Sequence, residues 1–326
     1  MNNFIQQNGV WIKKGLNIDV DGLVLDIDGV VLEVSESFRQ CISQTTQYYF
    51  HQILKYQGQA KLIEPQETTL FKNAGGFNND WDLTFAVCLF YLVKTLKFDE
   101  KNVGILRRQA PFLQDWVRSL APGGGLKGAK KSLLDNLSKK DKQQVLSLWN
   151  TALIKQIFQE LFGGVDYCRR LYGFDPRYIK EKGLINKEEI LIDKELLSPF
   201  WPKVGILTGR TKEEVQIAVE KITIINQIDD DFIVYDDGNS MVKPHPDSLI
   251  KLSARMGLSR GVYIGDTVDD AKTVANYNKE TGKNSFISAA VNKDTERFLQ
   301  LADIVSDDIN KILSFLGGEN GKASNN

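Results

Sequence analysis

The sequence predicts an α/β protein: a doubly wound parallel sheet interrupted by a large, mostly helical insertion. Three observations lead there. The C-terminal third alternates short apolar runs with amphipathic stretches, the pattern of parallel strands joined by helices that cover both faces of a sheet. A separate apolar run, Leu23-Val24-Leu25-Asp26-Ile27-Asp28-Gly29-Val30-Val31, supplies another buried strand far upstream. Between the two, from about Ser35 to Pro202, apolar residues recur at helical spacing instead. With 326 residues, 42% of them hydrophobic, the chain is long enough for two domains and a sizeable core.

The elements follow in order. The run at Leu23 is the first core strand. Helical periodicity then covers Phe38–Tyr56, Leu83–Leu96, Asn102–Leu120 and Lys139–Phe162. Val204–Leu207 reads as a strand and Lys212–Ile222 as a helix, Phe232–Tyr235 as a strand, and Pro246–Met256 as a helix after a proline turn. Val262–Ile264, Ser285–Val291 and Ile304-Val305 are further strands, separated by helices at Val268–Tyr277 and Lys293–Ala302 and followed by a last helix. The expected division is a core of 1–34 and 203–316, a helical insert of 35–202, and a tail of 317–326 with too little apolar surface to order itself.

Bulk properties remove several function classes. A formal net charge of −1 gives no reason to expect a nucleic-acid partner. Cys41, Cys88 and Cys168 are odd in number and far apart, so they form neither a metal cluster nor a disulfide framework and fit a reducing cytoplasm. The start, Met1 to Gln7, lacks the basic-then-apolar pattern of a signal peptide. The longest apolar run, Phe85 to Val93, is well short of the ~20 residues that span a bilayer.

Chemistry concentrates at strand ends. Asp26 and Asp28 are two residues apart where the first strand finishes, and on a strand such residues share a face. Two carboxylates crowded there resist joint ionisation; a divalent cation or a task in proton transfer would explain them, against the bland reading of an ordinary Asp-x-Asp-Gly turn. Asp26 is a candidate nucleophile and metal ligand, and Asp28 a candidate acid/base. Three other strand ends add to the pair. Thr208-Gly209-Arg210 offers a hydroxyl and an exposed amide, Lys243 precedes a helix start, and Gly265-Asp266-Thr267-Val268-Asp269-Asp270 carries three more carboxylates. In an open parallel sheet such ends converge on the crevice where ligands bind. Hard oxygen ligands suit Mg2+, and a lysine with amide donors suits the oxygens of a transferring phosphoryl group.

These segments, in this order and alternation, resemble the four motifs of the haloacid dehalogenase superfamily, and specifically of its magnesium-dependent phosphatases. The resemblance implies a Rossmann-like core and, for the insert, the helical cap of the superfamily's first subfamily. The size of the insert and the segment Gly75 to Thr84 resemble a small branch known mainly from cyanobacteria and archaea. The implied mechanism has Asp26 attack phosphorus to form an aspartyl-phosphate. Asp28 protonates the leaving alcohol and then deprotonates water. Mg2+ is implied to bind Asp26, the Asp28 carbonyl and Asp266, with Thr208 and Lys243 on the phosphoryl oxygens. Gly209, Asp269 and Asp270 support the site, either of the last two orienting Lys243 or a metal-bound water. Asp28 favours phosphate esters, because the dehalogenases of the superfamily lack an acid there.

Other features have bland readings. Gly123-Gly124-Gly125-Leu126-Lys127-Gly128 matches a dinucleotide-binding pattern, but no strand leads into it and Ala129 stands where a P-loop needs lysine. It reads as a loop whose glycines, with Lys127, Lys130 and Lys131, could close over an anion. Asn78, Asn79, Asp80, Trp81 and Asp82 form either a loop ending in a helix N-cap at Asp80 or Asp82 or a loop that selects the leaving group. Arg210, with Asn78, Asn79, Asp80 and Trp81, is therefore a candidate substrate-binding residue. Lys72 and Arg169 are lesser candidates for anion contact, His245 is a turn residue and His51 structural. A cap of this size favours a small phosphorylated substrate over a phosphoprotein. The competing functions are a phosphomutase of the same superfamily, a catalytically idle binding protein, and a dehalogenase.

Overall fold

The computed structural model describes residues 3–77, 79–120, 122, 124–224, 227–238, 243–282 and 286–318. The chain forms two compact units, Met1–Glu33 with Glu189–Asn326, and Val34–Glu188. In chain order the first unit begins with β1 (Phe4–Gln7) and β2 (Val10–Lys13), continues through β3 (Gly22–Leu25), and leaves after β4 (Leu32–Glu33). The second unit holds α1 (Gln40–Tyr48), α2 (Thr68–Ala74), α3 (Asp80–Phe98), α4 (Val103–Arg108), α5 (Leu113–Arg118), α6 (Gly125–Leu134), α7 (Lys139–Leu148) and α8 (Thr151–Tyr172). The first unit resumes with β5 (Glu189–Ile190), β6 (Val204–Leu207), α9 (Lys212–Lys221), β7 (Ile233–Val234), α10 (Asp247–Met256) and β8 (Gly261–Gly265). It closes with α11 (Val268–Thr281), β9 (Phe286–Val291), α12 (Thr295–Phe298), β10 (Ile304–Ser306) and α13 (Ile309–Gly317).

The main sheet runs β1-β2-β10-β9-β8-β3-β6-β7. From β10 to β7 every pairing is parallel, whereas β1–β2 and β2–β10 are antiparallel. The parallel strands are covered on both faces. Val24 and Tyr263 join Leu249, Leu252 and Met256 of α10 and Val274 and Tyr277 of α11 in one core. Residues of opposite parity, Leu23, Leu25, Val262 and Ile264, are also buried, each worth about 1.5–3 kcal/mol of transfer free energy. That two-sided burial is why these strands read as near-continuous apolar runs.

Several expectations need correction. The N-terminal hairpin was not foreseen, although Asn8-Gly9 signals it: both residues have positive φ, 49° and 80°, the two-residue turn that asparagine and glycine accept. Residues 189–202, assigned by the sequence to the insert, fold with the first unit, where β5 pairs with β4. The Asn102–Leu120 helix is two helices, α4 and α5, because Pro111 has no N–H to continue the ladder and restricts Ala110 before it. Lys139–Phe162 is likewise two, since Asn150 caps α8 by accepting from the Leu153 amide at 3.0 Å. Of Lys293–Ala302 only Thr295–Phe298 is α-helical. The glycine-rich segment is no loop from Gly125 onward but the first turn of α6, and Gly123 lies outside the described residues. The tail beyond 318 lies outside them too, Gly317 ending α13.

In the helical unit α3, apolar on nearly every side, packs against α1, α6, α7 and α8. Aromatic pairs fill the space around it, Phe90 stacking on Trp116 at 4.8 Å. Phe38 stacks on Phe162 at 4.3 Å elsewhere in the same unit. Lys94 is 2% exposed on α3 and donates to the carbonyls of Leu106 (2.5 Å), Gln109 and Pro111 (3.0 Å). One buried ammonium thus satisfies the carbonyls that the α4–α5 break leaves without helical partners.

Candidate active site

The parallel order β8-β3-β6-β7 sets the carboxyl ends of those strands side by side. β3 stops at Leu25, so Asp26 and Asp28 lie in the turn after the strand, not on one strand face as the spacing argument required. Asp26 keeps the sheet register, its amide donating to the Ile264 carbonyl at 2.9 Å. Its Oδ1 accepts the Ile27 amide at 2.8 Å and its Oδ2 accepts Lys243 Nζ at 2.8 Å. Gly29 follows with φ 73°. A side chain there would meet Asp266 Oδ2 at 2.4 Å, so glycine is what lets the turn approach that carboxylate.

Lys243 is the hub. Besides Asp26 it reaches Asp270 Oδ1 at 2.6 Å and Tyr263 Oη at 3.0 Å, and the tyrosine hydroxyl in turn lies 2.8 Å from Asp270 Oδ1. Asp270 also accepts the Thr267 amide at 2.9 Å, closing the N-terminus of α11. Of the two adjacent aspartates, Asp270 is the one that meets Lys243. Asp269 is buried one residue away, its carbonyl accepting Thr273 Oγ1 at 2.7 Å. Gly265 permits the approach of Asp270, since a Cβ would stand 2.3 Å from the Asp270 Cβ.

Burial sets the electrostatics. It pushes Asp26 up to about 6, partly offset by Lys243 and reinforced by the charges of Asp270 and Asp28. Burial also opposes the ammonium of Lys243, but Asp26 and Asp270 more than compensate and hold it well above the usual lysine range. For Asp270 the burial penalty is overcome by Lys243 and by hydrogen bonds from Lys243, Thr267 and Tyr263, leaving its pKa lowered. Oxygens of Asp26, Asp266 and Asp270 lie within 4.8 Å of one another. Lys243 offsets part of the negative charge of this group by pairing with Asp26 and Asp270. An all-oxygen set of this kind fits a hard divalent cation.

Thr208 is 4% exposed, its amide bonded to the Val234 carbonyl at 3.0 Å, and Gly209 beside it is exposed. Arg210 is 1% exposed and pairs with Asp28 Oδ1. Asn292 Nδ2 holds the Asp266 carbonyl at 2.9 Å. Tyr263 and Asn292 escaped the sequence reading. The signal for the first was a phenol inside an otherwise aliphatic strand, which needs a buried partner.

The insert residues singled out by sequence belong to the helical unit. Asn79, not Asp80 or Asp82, is the N-cap of α3 and accepts the Trp81 amide at 2.8 Å. Asp80 pairs with Lys72 at 2.7 Å, and Lys155 Nζ stands 3.6 Å from the Trp81 ring centroid. Asn78 lies outside the described residues. Arg169 is exposed and paired with Asp175. His51 Nδ1 meets the Tyr56 carbonyl at 3.1 Å, and His245 lies 3.5 Å from Asp247 Oδ1 in the turn before α10. Cys41, Cys88 and Cys168 are buried thiols outside any disulfide. No described helix is long and apolar enough to cross a membrane.

No family model and no curated protein matches the sequence. Solved structures do match. Phosphatase Tt82 from Thermococcus thioreducens is 23% identical, with 91% of this chain and 99% of that one aligned at a TM-score of 0.58. A structural genomics target is 16% identical over 91% of this chain and 98% of its own, TM-score 0.55. A HAD hydrolase of family IA, variant 3, from Entamoeba histolytica aligns over 91% of this chain and 99% of its own, at 13% identity and TM-score 0.45. At such identities the likeness is one of fold.

Proposed function

We propose that this chain, built on the fold of the haloacid dehalogenase-like hydrolases, is a magnesium-dependent phosphatase acting on a small phosphorylated metabolite. The observation that carries the reading is the Lys243 ammonium, 2.8 Å from Asp26 and 2.6 Å from Asp270. A nucleophilic carboxylate must approach an anionic phosphate, and this arrangement supplies a fixed positive charge beside it. Asp26 forms a bond to phosphorus as the ester P–O bond breaks, giving an aspartyl-phosphate. Asp28 delivers a proton to the departing alkoxide, then accepts one from the water that hydrolyses the intermediate. Thr208, the Gly209 amide and Lys243 hold the phosphoryl oxygens, and Asp270 orients Lys243. A bound Mg2+ would be held by Asp26, the Asp28 carbonyl and Asp266, and would neutralise charge between nucleophile and phosphate.

The test is phosphate release from a panel of phosphate monoesters, with and without Mg2+. Release that requires Mg2+ and is abolished by Asp26→Asn is expected. Its absence across the panel would sink the reading in favour of a binding protein. Isomer formation without free phosphate would make the chain a phosphomutase, and halide release from a haloacid a dehalogenase.

A further inference from the structure

Arg210 stands two residues after Thr208, where a substrate contact was expected from sequence, yet it is 1% exposed. Its guanidinium grips one oxygen of Asp28: Nε is 2.7 Å and Nη2 2.6 Å from Oδ1. The backbone of Arg210 is also fixed. Its amide donates to Thr208 Oγ1 at 3.3 Å and its carbonyl accepts the Asp236 amide at 2.8 Å. The next residue opens α9, its amide bonded to Glu214 at 2.9 Å. A guanidinium does not lose its charge in a protein, so burial commits it to an anionic partner. Asp28 is such a partner and is itself 32% exposed at the side chain. The arginine is therefore built into the core, while the carboxylate it grips faces outward.

We propose that Arg210 is a positioning residue that clamps Asp28 through Oδ1, so that Oδ2 is the oxygen that carries the proton. The inference rests on the phosphatase reading above. Oδ1 accepts the Nε–H bond and meets Nη2 at 2.6 Å, so it is engaged by the guanidinium and Oδ2 is left to exchange the proton. In the first half-reaction the Oδ2 proton passes to the ester oxygen as the P–O bond breaks and its electron pair stays on that oxygen. Asp26 meanwhile forms the new bond to phosphorus. In the second, Oδ2 takes a proton from water as the water oxygen bonds phosphorus and the Asp26–phosphorus bond breaks, returning its electron pair to the carboxylate. Fixing the carboxylate by one oxygen orients the other without placing arginine on the substrate.

A clamp that acts only through proton delivery has a signature in the leaving group. 4-Nitrophenolate departs with little protonation, whereas an alkoxide needs it. Rates of the first phosphoryl transfer, measured in single turnover with Mg2+ for 4-nitrophenyl phosphate and glycerol phosphate, separate the cases. Arg210→Met should slow glycerol phosphate by about 10²–10³-fold, within the range general acids contribute, and 4-nitrophenyl phosphate by less than about 10-fold. KM should stay nearly unchanged, and in an Asp28→Asn background the arginine change should cost little more. Equal losses on both substrates, or a raised KM with kcat intact, would overturn the clamp while leaving the phosphatase standing. Wild-type protein inactive on every monoester would sink both. If Arg210→Met does not fold, Arg210→Lys, which keeps the charge without the two-pronged grip, answers the same question by the same ratio.

Discussion

Asp26 is asked to be two things at once, a buried group and an anion. Burial raises its pKa from 3.8 to about 6 despite the lysine beside it. The consequence for stability has a definite sign. Between those values the native chain holds a proton that the unfolded chain has released, so the contribution of Asp26 is complete below about pH 4 and lost as pH rises through 6. Above that window the ionised carboxylate is a burden on the metal-free fold. Asp26→Asn should therefore stabilise the protein in chelator by up to about 3 kcal/mol at about pH 8, the size of a shift of about two units. The gain should vanish towards pH 4. Urea unfolding at both pH values measures it, and a less stable variant at the higher pH would show that pairing with Lys243 outweighs burial. Tyr263 belongs to the same balance, since its hydroxyl shares Lys243 and Asp270 and fixes both.

At the level of elements, the helical unit shows what periodicity leaves out. Apolar spacing continues across Gln109-Ala110-Pro111 and across Trp149-Asn150, and the chain breaks at both. The first break follows from proline chemistry, the second from a capping asparagine, and each was legible had local rules been weighed against the longer pattern. What no pattern announces is how the broken ends are satisfied. Lys94 sits on the buried face of α3 and bonds the carbonyls of Leu106, Gln109 and Pro111. Replacing it by methionine keeps most of the apolar stem but strands three acceptors, one or more of them buried. At about 1–3 kcal/mol for an unsatisfied buried group, Lys94→Met should cost roughly 2–4 kcal/mol. Thermal or urea unfolding reads this directly. A loss below about 0.5 kcal/mol, the size of an ordinary surface change, would mean that water takes the place of the ammonium.

Across the whole molecule, the core sheet was readable because its motif residues sit directly after apolar runs whose alternation with helices dictates a parallel order. Asp26, Thr208 and Asp266 each follow a fully buried strand or end one. The burial of Arg210 against Asp28 was not readable, because sequence gives no measure of which way an arginine at a strand end turns. The antiparallel β1 and β2 were missed for a different reason: β1 is half-buried to exposed and lacks an apolar run. The division into units carries a last prediction. Asp26, Asp28 and Asp266, the proposed cation ligands, all belong to the first unit, and a ligand stabilises whatever unfolds together with its site by RT ln(1 + [L]/Kd). At 100 times Kd that is about 2.7 kcal/mol, or roughly 100-fold slower exchange for amides that open only by unfolding. Hydrogen exchange with and without Mg2+ should therefore slow the amides of β3, β8 and α11 and leave those of α1, α3 and α8 in the second unit unchanged. Equal protection of both sets would show that the two units unfold as one, and protection of neither would remove the cation from the site.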